Sequence, residues 1–361
     1  MKKSLLALAV LSSIAGVASA QSSVTVYGLI DAGVTVTPSS TVNGVALPSR
    51  TTLDSGIGNG SRLGFKGTED LGNGLKALFV LEQGLYTDTG ASAQSATTFG
   101  RQSWVGLQSA DLGTVALGRQ YTGLYNSLLT LDPFGYGMTG AANNVFNLGG
   151  TSSGRQNNAL RYTSVNYNGF SVDGVYGFGE VAGNASSSRD IGGTANYVNG
   201  PLALLVSYDA LKNSIATDSL QTTLFGGSYD FGVVKTSAAF AINKGSSALP
   251  VAGVQPNVKS DDFLLGAKIP FGASAILASY INHNDKSVAN NDSQQFAIGY
   301  TYALSNRTGL YSSLGYIKNK NGAFLQEGNG STSVATSANA VPTSTAAYGT
   351  KAIDFGIRHA F

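Results

Sequence analysis

The sequence predicts an all-β protein, a transmembrane antiparallel β-barrel of about sixteen strands. Three observations lead there. Segments of about ten residues alternate apolar and mixed side chains, the pattern of a strand standing between two different media. The connections between these segments alternate short and long. Beyond the first twenty residues, no stretch reaches the roughly 18 apolar residues of a spanning helix. Composition agrees, since 47 glycines, 17 tyrosines and 16 phenylalanines against 8 prolines favour many short strands over helices.

The opening "MKKSLLALAVLSSIAGVASA" has two lysines, an apolar run from Leu5 to Val17, and small residues at Ala18, Ser19 and Ala20. This is the layout of a secretory signal peptide over residues 1–20, with cleavage expected after Ala20. Residues 21–361 show no linker or composition shift and read as one barrel domain. There are no cysteines, so no disulfide staples the exported chain. Removing Lys2 and Lys3 leaves 20 basic against 20 acidic side chains, a balance that predicts no nucleic-acid partner.

The first strand, "VTVYGLIDAGVTVT", sets Val24, Val26, Ile30, Val34 and Val36 on one face and Thr25, Tyr27, Asp31 and Thr35 on the other. "SRLGFKGTE" sets Leu63 and Phe65 against Arg62 and Lys66. "SQQFAIGYTYAL" sets Phe296, Ile298, Tyr300 and Tyr302 against Gln295, Ala297, Gly299 and Thr301. The final "KAIDFGIRHAF" does the same with Ile353, Phe355, Ile357 and His359 against Asp354, Gly356, Arg358 and Ala360. Backbone groups in lipid need partners within the protein, so the last strand is expected to close on the first.

Short turns are expected at "EDLGNG", "ADLG", "NYNG", "NGP", "YDFG", "PFG" and "LSNR". Long polar loops are expected from Pro38 to Gly60, Tyr121 to Asn157, Gly245 to Lys259 and Asn321 to Tyr348. Short periplasmic turns on one rim and long extracellular loops on the other describe an outer-membrane barrel, and about sixteen strands leave a water channel. A secreted pair of β-sandwiches, such as an adhesin, also alternates its faces. It explains neither the unequal rims nor 340 residues without a domain break.

The stretches "SSVTVYGLIDAGV", "GSRLGFKGTEDLGNGLKALFVLE", "FGRQSWVGLQSADLGTVALGRQY", "LRYTSVNYNGFSV" and "FGIRHAF" run from the start of the mature chain to its last residue. They resemble the trimeric general porins of the Gram-negative outer membrane, most closely those of beta-proteobacteria. The resemblance implies a sixteen-stranded barrel, a homotrimer, passive diffusion of small hydrophilic solutes, and a third extracellular loop folded into the pore. It further implies that Phe361 is an assembly signal read by the outer-membrane assembly machinery. By motif position, the constriction arginines are Arg62 in "SRLGF", Arg101 in "FGRQSW" and Arg155 in "SGRQNNALRY". The inward loop is "TGLYNSLLTLDPFGYGMTGAANNVFNLGGTSSG", whose one acid, Asp132, is placed opposite them.

Alternation puts Arg62 and Arg101 on the inner face, since their neighbours Leu63 and Trp104 fall on the lipid face, Trp104 as part of an interfacial girdle. Arg155 precedes its strand and is not placed by periodicity. Lys66, Asp31 and Glu82 are expected to line the pore, the two acids offsetting the arginines. Three arginines against one loop acid predict an anion preference. Tyr121, Tyr125, Phe134, Tyr136 and Phe146 of the inward loop leave a solute-specific porin, with a binding track for a sugar or a particular anion, as the alternative.

No enzyme is expected. The two histidines are His283, read as a loop residue beside Asp285, and His359, on the lipid face. No His, Cys or carboxylate cluster has ligand spacing, so neither metal nor cofactor is expected.

Overall fold

A computed structural model describes residues 23–42, 45–94, 97–148, 154–246, 257–323, 325–327 and 349–361; the expected signal peptide, 1–20, lies outside the described residues. The strands are β1 (Ser23–Thr37), β2 (Ser40–Val42), β3 (Val45–Leu47), β4 (Arg50–Ser55), β5 (Arg62–Gly72), β6 (Leu75–Gly84), β7 (Gln102–Ser109), β8 (Gly113–Tyr121), β9 (Arg155–Thr163) and β10 (Phe170–Gly177). They continue as β11 (Asp190–Asn199), β12 (Leu202–Lys212), β13 (Ser219–Asp230), β14 (Lys235–Ser246), β15 (Asn257–Phe271), β16 (Ser274–Asp285), β17 (Ser293–Ala303), β18 (Thr308–Asn319) and β19 (Lys351–Ala360). Among the described residues one α-helix, α1 (Gly123–Leu131), lies between β8 and β9, followed by a 3-10 turn at Ala142–Asn144.

β1 and β5 to β19 form a closed antiparallel barrel of sixteen strands, each paired with its neighbour in sequence and β19 with β1. That last seam runs from Leu29 opposite Ala360 to Val36 opposite Ile353. Closure leaves no sheet edge in the bilayer, where an unpaired amide would cost several kcal/mol, roughly. The connections 73–74, 110–112, 164–169, 200–201, 231–234, 272–273 and 304–307 are short and fall at the seven quoted turns. At the opposite rim stand the long ones, among them 85–101, 122–154, 178–189 and 320–350.

The loop expected from Pro38 to Gly60 contains more strand than its polarity suggests. β2 and β3 form a small hairpin, and β4 pairs with the upper half of β1, Ala32 opposite Ser55 and Thr37 opposite Arg50. β5 pairs with the lower half, Leu29 opposite Arg62 and Ser23 opposite Thr68. β4 and β5 are thus two halves of one wall strand, and residues 56–61 leave the wall between them.

Lipid explains the outer face. Val24, Val26, Leu53, Val105, Leu107, Phe296, Ile298, Phe355 and Ile357 are all exposed. The inner face departs from the expected uniform polarity. Leu224, Ala239, Ala241, Leu264, Ile281 and Ile317 point inward from β13 to β18 and are buried against Leu124, Leu128 and Leu131 of α1 and Val145 and Phe146 beyond it. The inward loop therefore rests on a hydrophobic core inside the barrel, where each buried leucine contributes about 1.5–3 kcal/mol.

Candidate pore constriction

Loop 122–154 begins with a capped helix, Thr122 accepting the Tyr125 amide at 3.2 Å. α1 presents Leu124, Leu128 and Leu131 at the i, i+4, i+7 spacing of one helical face. From there the loop crosses the inner wall through a series of hydrogen bonds. Ser127 meets Ser207 of β12 at 2.7 Å, and Ser237 of β14 donates to the Leu131 carbonyl at 2.5 Å. Thr139 N donates to Asp354 of β19 at 2.7 Å, Gln295 of β17 donates to the Ala141 carbonyl at 3.2 Å, and Asn147 N donates to Asp262 of β15 at 3.0 Å.

The excursion 56–61 clamps the loop from the other side. Met138 N donates to the Ile57 carbonyl at 2.5 Å. The backbones cross so closely that a Cβ on Gly137 would stand 2.0 Å from the Gly58 carbonyl oxygen, which requires glycine. Asp31 holds the excursion, accepting from Asn59 N at 2.9 Å, Gly58 N at 3.3 Å and the Tyr311 hydroxyl at 2.6 Å. Asp31 is on the inner face as expected, but it is fully buried under this excursion and does not line the pore. A period-two pattern gives the side of a residue and not what later covers it.

Asp132 needs the same correction. It lies in the inward loop, but its carboxylate accepts the amides of Phe134, Tyr136 and Ala142, each at 2.9 Å, and is buried. Its charge organises a turn in which Gly135, Tyr136 and Met138 all take positive φ; for the last two that is a strained conformation, kept because these bonds and the Ile57 clamp over-determine it. Burial pushes the Asp132 carboxyl up to about 6, against the three amides that favour its ionised form.

Arg62, Arg101 and Arg155 converge on the wall facing the start of the loop. Arg101 Nε donates to Glu82 at 2.8 Å, and its guanidinium and that of Arg155 both donate to the Tyr121 hydroxyl, at 2.8 and 3.0 Å. The Arg155 guanidinium also lies over the Tyr121 ring at 4.6 Å. Behind it, Tyr121, Tyr125 and Tyr136 stack with centroids 4.8 and 4.7 Å apart and planes within about ten degrees of parallel. Arg155 is the first residue of β9, opposite Tyr121, and so belongs to the wall and does not merely precede it.

Arg101 is inward for a reason different from the one expected. Trp104 stands opposite Val80 and Gly118, out of phase with the exposed Val105 and Leu107, so it is on the inner face, not in an outer girdle. Arg101 N bonds the Glu82 carbonyl while Gln102 is already the partner of Glu82 in the ladder. That local irregularity, not alternation, turns Arg101 inward. Glu82 accepts from Tyr27 at 3.0 Å as well as from Arg101, and Lys66 lies exposed over the Tyr27 ring at 5.4 Å.

His283 is a strand residue of β16 and not a loop residue, and its partner is Asp262 at 2.8 Å, not Asp285. Ser260 donates to Asp262 and not to the imidazole, so the geometry is an anchor for Asn147 rather than a nucleophile with its base. Among the described residues no group of three His, Cys, Asp or Glu side chains is placed to hold a metal.

The family model for Gram-negative porins matches residues 7–322. An outer membrane porin protein of Bordetella pertussis is 36% identical, the alignment covering 91% of this chain and 96% of that one. Outer membrane porin protein 32 of Delftia acidovorans is 37% identical over 90% of this chain and 92% of its own. Among solved structures, the anion-selective porin from Comamonas acidovorans superimposes with a TM-score of 0.76 at 30% identity, covering 94% of this chain and all of that one. Such matches, nearly end to end on both sides, join the closed barrel and its inward loop to a single conclusion: this chain belongs to the Gram-negative porins and resides in the outer membrane.

Proposed function

We propose that this porin is a water-filled channel for small hydrophilic solutes that favours anions, with Arg62, Arg101 and Arg155 as its filter. The observation that carries the reading is an asymmetry of burial. Asp31, Glu82, Asp132, Asp190, Asp209, Asp262, Glu327 and Asp354 are buried, whereas among the described lysines and arginines only Arg101 is. Asp31, Asp132, Asp262 and Asp354 are spent on holding loops, and Glu82 is paired with Arg101. A chain of balanced charge thereby presents a basic lumen.

At the constriction Glu82 offsets one of the three arginines. Two net charges remain. An ion passing each at about 8 Å gains roughly 0.5 kcal/mol per charge at the dielectric of water, so about 1 kcal/mol in all, or about a fivefold preference. The Debye length is about 8 Å at physiological salt, so the preference weakens as salt rises. The likeness to a porin described as anion-selective supports the same direction. The aromatic track of a solute-specific porin finds less support, since both faces of the Tyr125 ring are covered and Phe134, Tyr136 and Phe146 are buried.

The test is the zero-current potential across a planar bilayer holding a KCl gradient. The wild type is expected to be anion-selective, and Arg62→Ala with Arg101→Ala to lose most of that selectivity. A cation-selective wild type, or an unchanged double variant, would overturn the assignment. The protein is further proposed to act as a homotrimer, embedded in outer-membrane lipid through its apolar outer face. Crosslinking in mild detergent that yields only monomer would count against the trimer.

A further inference from the structure

We propose that Asp190 of β11 and Asp209 of β12 form a divalent-cation site at the outer rim of the barrel, one that takes calcium in preference to magnesium. Asp190 begins β11 just after the long connection 178–189, and Asp209 lies near the outer end of β12. In the ladder Asp190 is opposite Leu211 and Asp209 is opposite Gly192, so the two acids are diagonal neighbours on the inner face. A Cβ on Gly192 would stand 2.6 Å from Asp209 Oδ1, so the Asp209 side chain reaches over that glycine toward β11. The two carboxyl groups come within hydrogen-bond reach of each other.

Their charge is unanswered by the protein. Asp190 is fully buried and Asp209 is 4% exposed. Both carboxylate oxygens of Asp190 and Oδ1 of Asp209 are buried without a donor. Neither acid takes part in any of the ion pairs formed among the described residues. The neighbouring groups are committed elsewhere. Lys212 follows Leu211 on β12, hence on the other face, and acts on Asp218. Thr194 and Ser207, the next pair toward the membrane, bond each other at 2.5 Å, and Ser207 meets Ser127 of α1. Thr222 of β13 stands opposite Asp209 but donates its hydroxyl proton to Asn243 Oδ1 at 2.6 Å. It has lone pairs left and no proton to offer, which suits a metal ligand and not a donor to Asp209. Two carboxylates in contact and out of water do not both keep their charge without a cation between them. One divalent ion cancels the pair, and oxygen ligands select a hard one. Calcium accepts an irregular ligand set completed by neutral oxygens, whereas magnesium demands a near-ideal octahedron that two carboxylates fixed by one ladder do not supply. Calcium there ties β11 to β12 two residues outward from Ser207, where α1 is seated. With two charged ligands the affinity belongs in the weak range of extracellular sites, roughly 0.1–1 mM.

The probe is calcium chloride, titrated at fixed ionic strength against the full-length porin folded in detergent and freed of divalent ions by a chelator. Equilibrium dialysis with radioactive calcium is expected to show one more ion per chain in the wild type than in Asp190→Asn with Asp209→Asn. Millimolar calcium should raise the midpoint of heat modification of the wild type by a few degrees, magnesium less, and neither should move it in the double variant. Asp111→Asn, at a periplasmic turn, should respond as the wild type does. In chelator the double variant should resist heat at least as well as the wild type, because the substitution removes the repulsion and keeps the shape. Equal calcium binding in the two proteins, an equal rise in midpoint, or a double variant less heat-resistant in chelator would each overturn the proposal. So would an infrared band of a protonated carboxyl at pH 8 that is present in the wild type, absent from the double variant and undisturbed by millimolar calcium, since the pair would then share a proton instead of a metal.

Discussion

Gly28 and Phe361 exchange both backbone hydrogen bonds, each 3.1 Å, and a Cβ on Gly28 would stand 2.3 Å from the Phe361 ring. The terminal ring thus lies over the one glycine on the outer face of β1, at the seam where the barrel closes. Gly28→Val should displace the ring and weaken the seam by about 1–3 kcal/mol, the ordinary range for overpacking. Phe361→Asp, which places a charge on the lipid face, should stop assembly. Both are read as the fraction of heat-modifiable protein in the outer-membrane fraction. Wild-type amounts in both variants would show that this contact does not control closure.

Tyr121 is the hinge of the arginine wall, because one phenol oxygen receives a guanidinium from Arg101 and another from Arg155. Two like charges are held close by a single acceptor. Tyr121→Phe keeps the ring between Arg155 and Tyr125 but removes that acceptor, so the guanidiniums should spread. The expected result is a zero-current potential closer to zero, with conductance in concentrated salt unchanged because the opening keeps its size. Equal selectivity in the variant would mean the arginines are positioned by other contacts.

Most of the fold was legible because lipid imposes a period of two on every outer face and unequal rims mark the turns. The residues of the last strand, Ile353 to His359, and the seven short turns followed from that alone. What was not legible came from contacts distant in sequence. Leu224, Leu264, Ile281 and Ile317 read as irregularities in polar inner faces until α1, some hundred to two hundred residues earlier, is set against them. The signal for α1 was present, as Leu124, Leu128 and Leu131 stand at helical spacing after Thr122, a favoured cap. Asp31 falls on the inner face and Asp132 in the inward loop as expected, but neither faces the pore, because their covering by residues 56–61 and by the loop's own amides leaves no mark in spacing.

The seat of the loop can be loosened without touching the wall. Leu128 is fully buried between α1 and the inner wall. Leu128→Ala should cost about 2–5 kcal/mol locally, and that loss falls on the loop rather than on the barrel ladder. The barrel should still resist heat as the wild type does, while single-channel records become noisier and limited proteolysis cuts within 122–154. A quiet channel with an uncut loop would show that the hydrogen bonds to Ser207, Ser237 and Asp262 suffice by themselves.

Asp132 predicts a dependence on pH. Its carboxyl is raised from 3.8 to about 6, chiefly by burial, so between those values the folded loop holds a proton that the unfolded chain has released. The sign follows: the contribution is fully present below 3.8 and is lost as pH rises through about 6, amounting to up to about 3 kcal/mol. Above 6 the turn carries a negative charge beside the pore, and below it the charge is gone. Lowering the pH from 8 to 5 should therefore move the zero-current potential further toward anions, with a midpoint near 6, by less than the roughly 0.5 kcal/mol of a full charge at about 8 Å. Asp132→Asn is neutral throughout, so it should lack this step, even though its amide meets only part of the three-amide cradle and weakens the turn by about 1–3 kcal/mol. Subtracting the variant's titration from the wild type's isolates Asp132 from the other acids of the barrel. Identical titrations in the two proteins would show that this charge is not felt by ions in the channel.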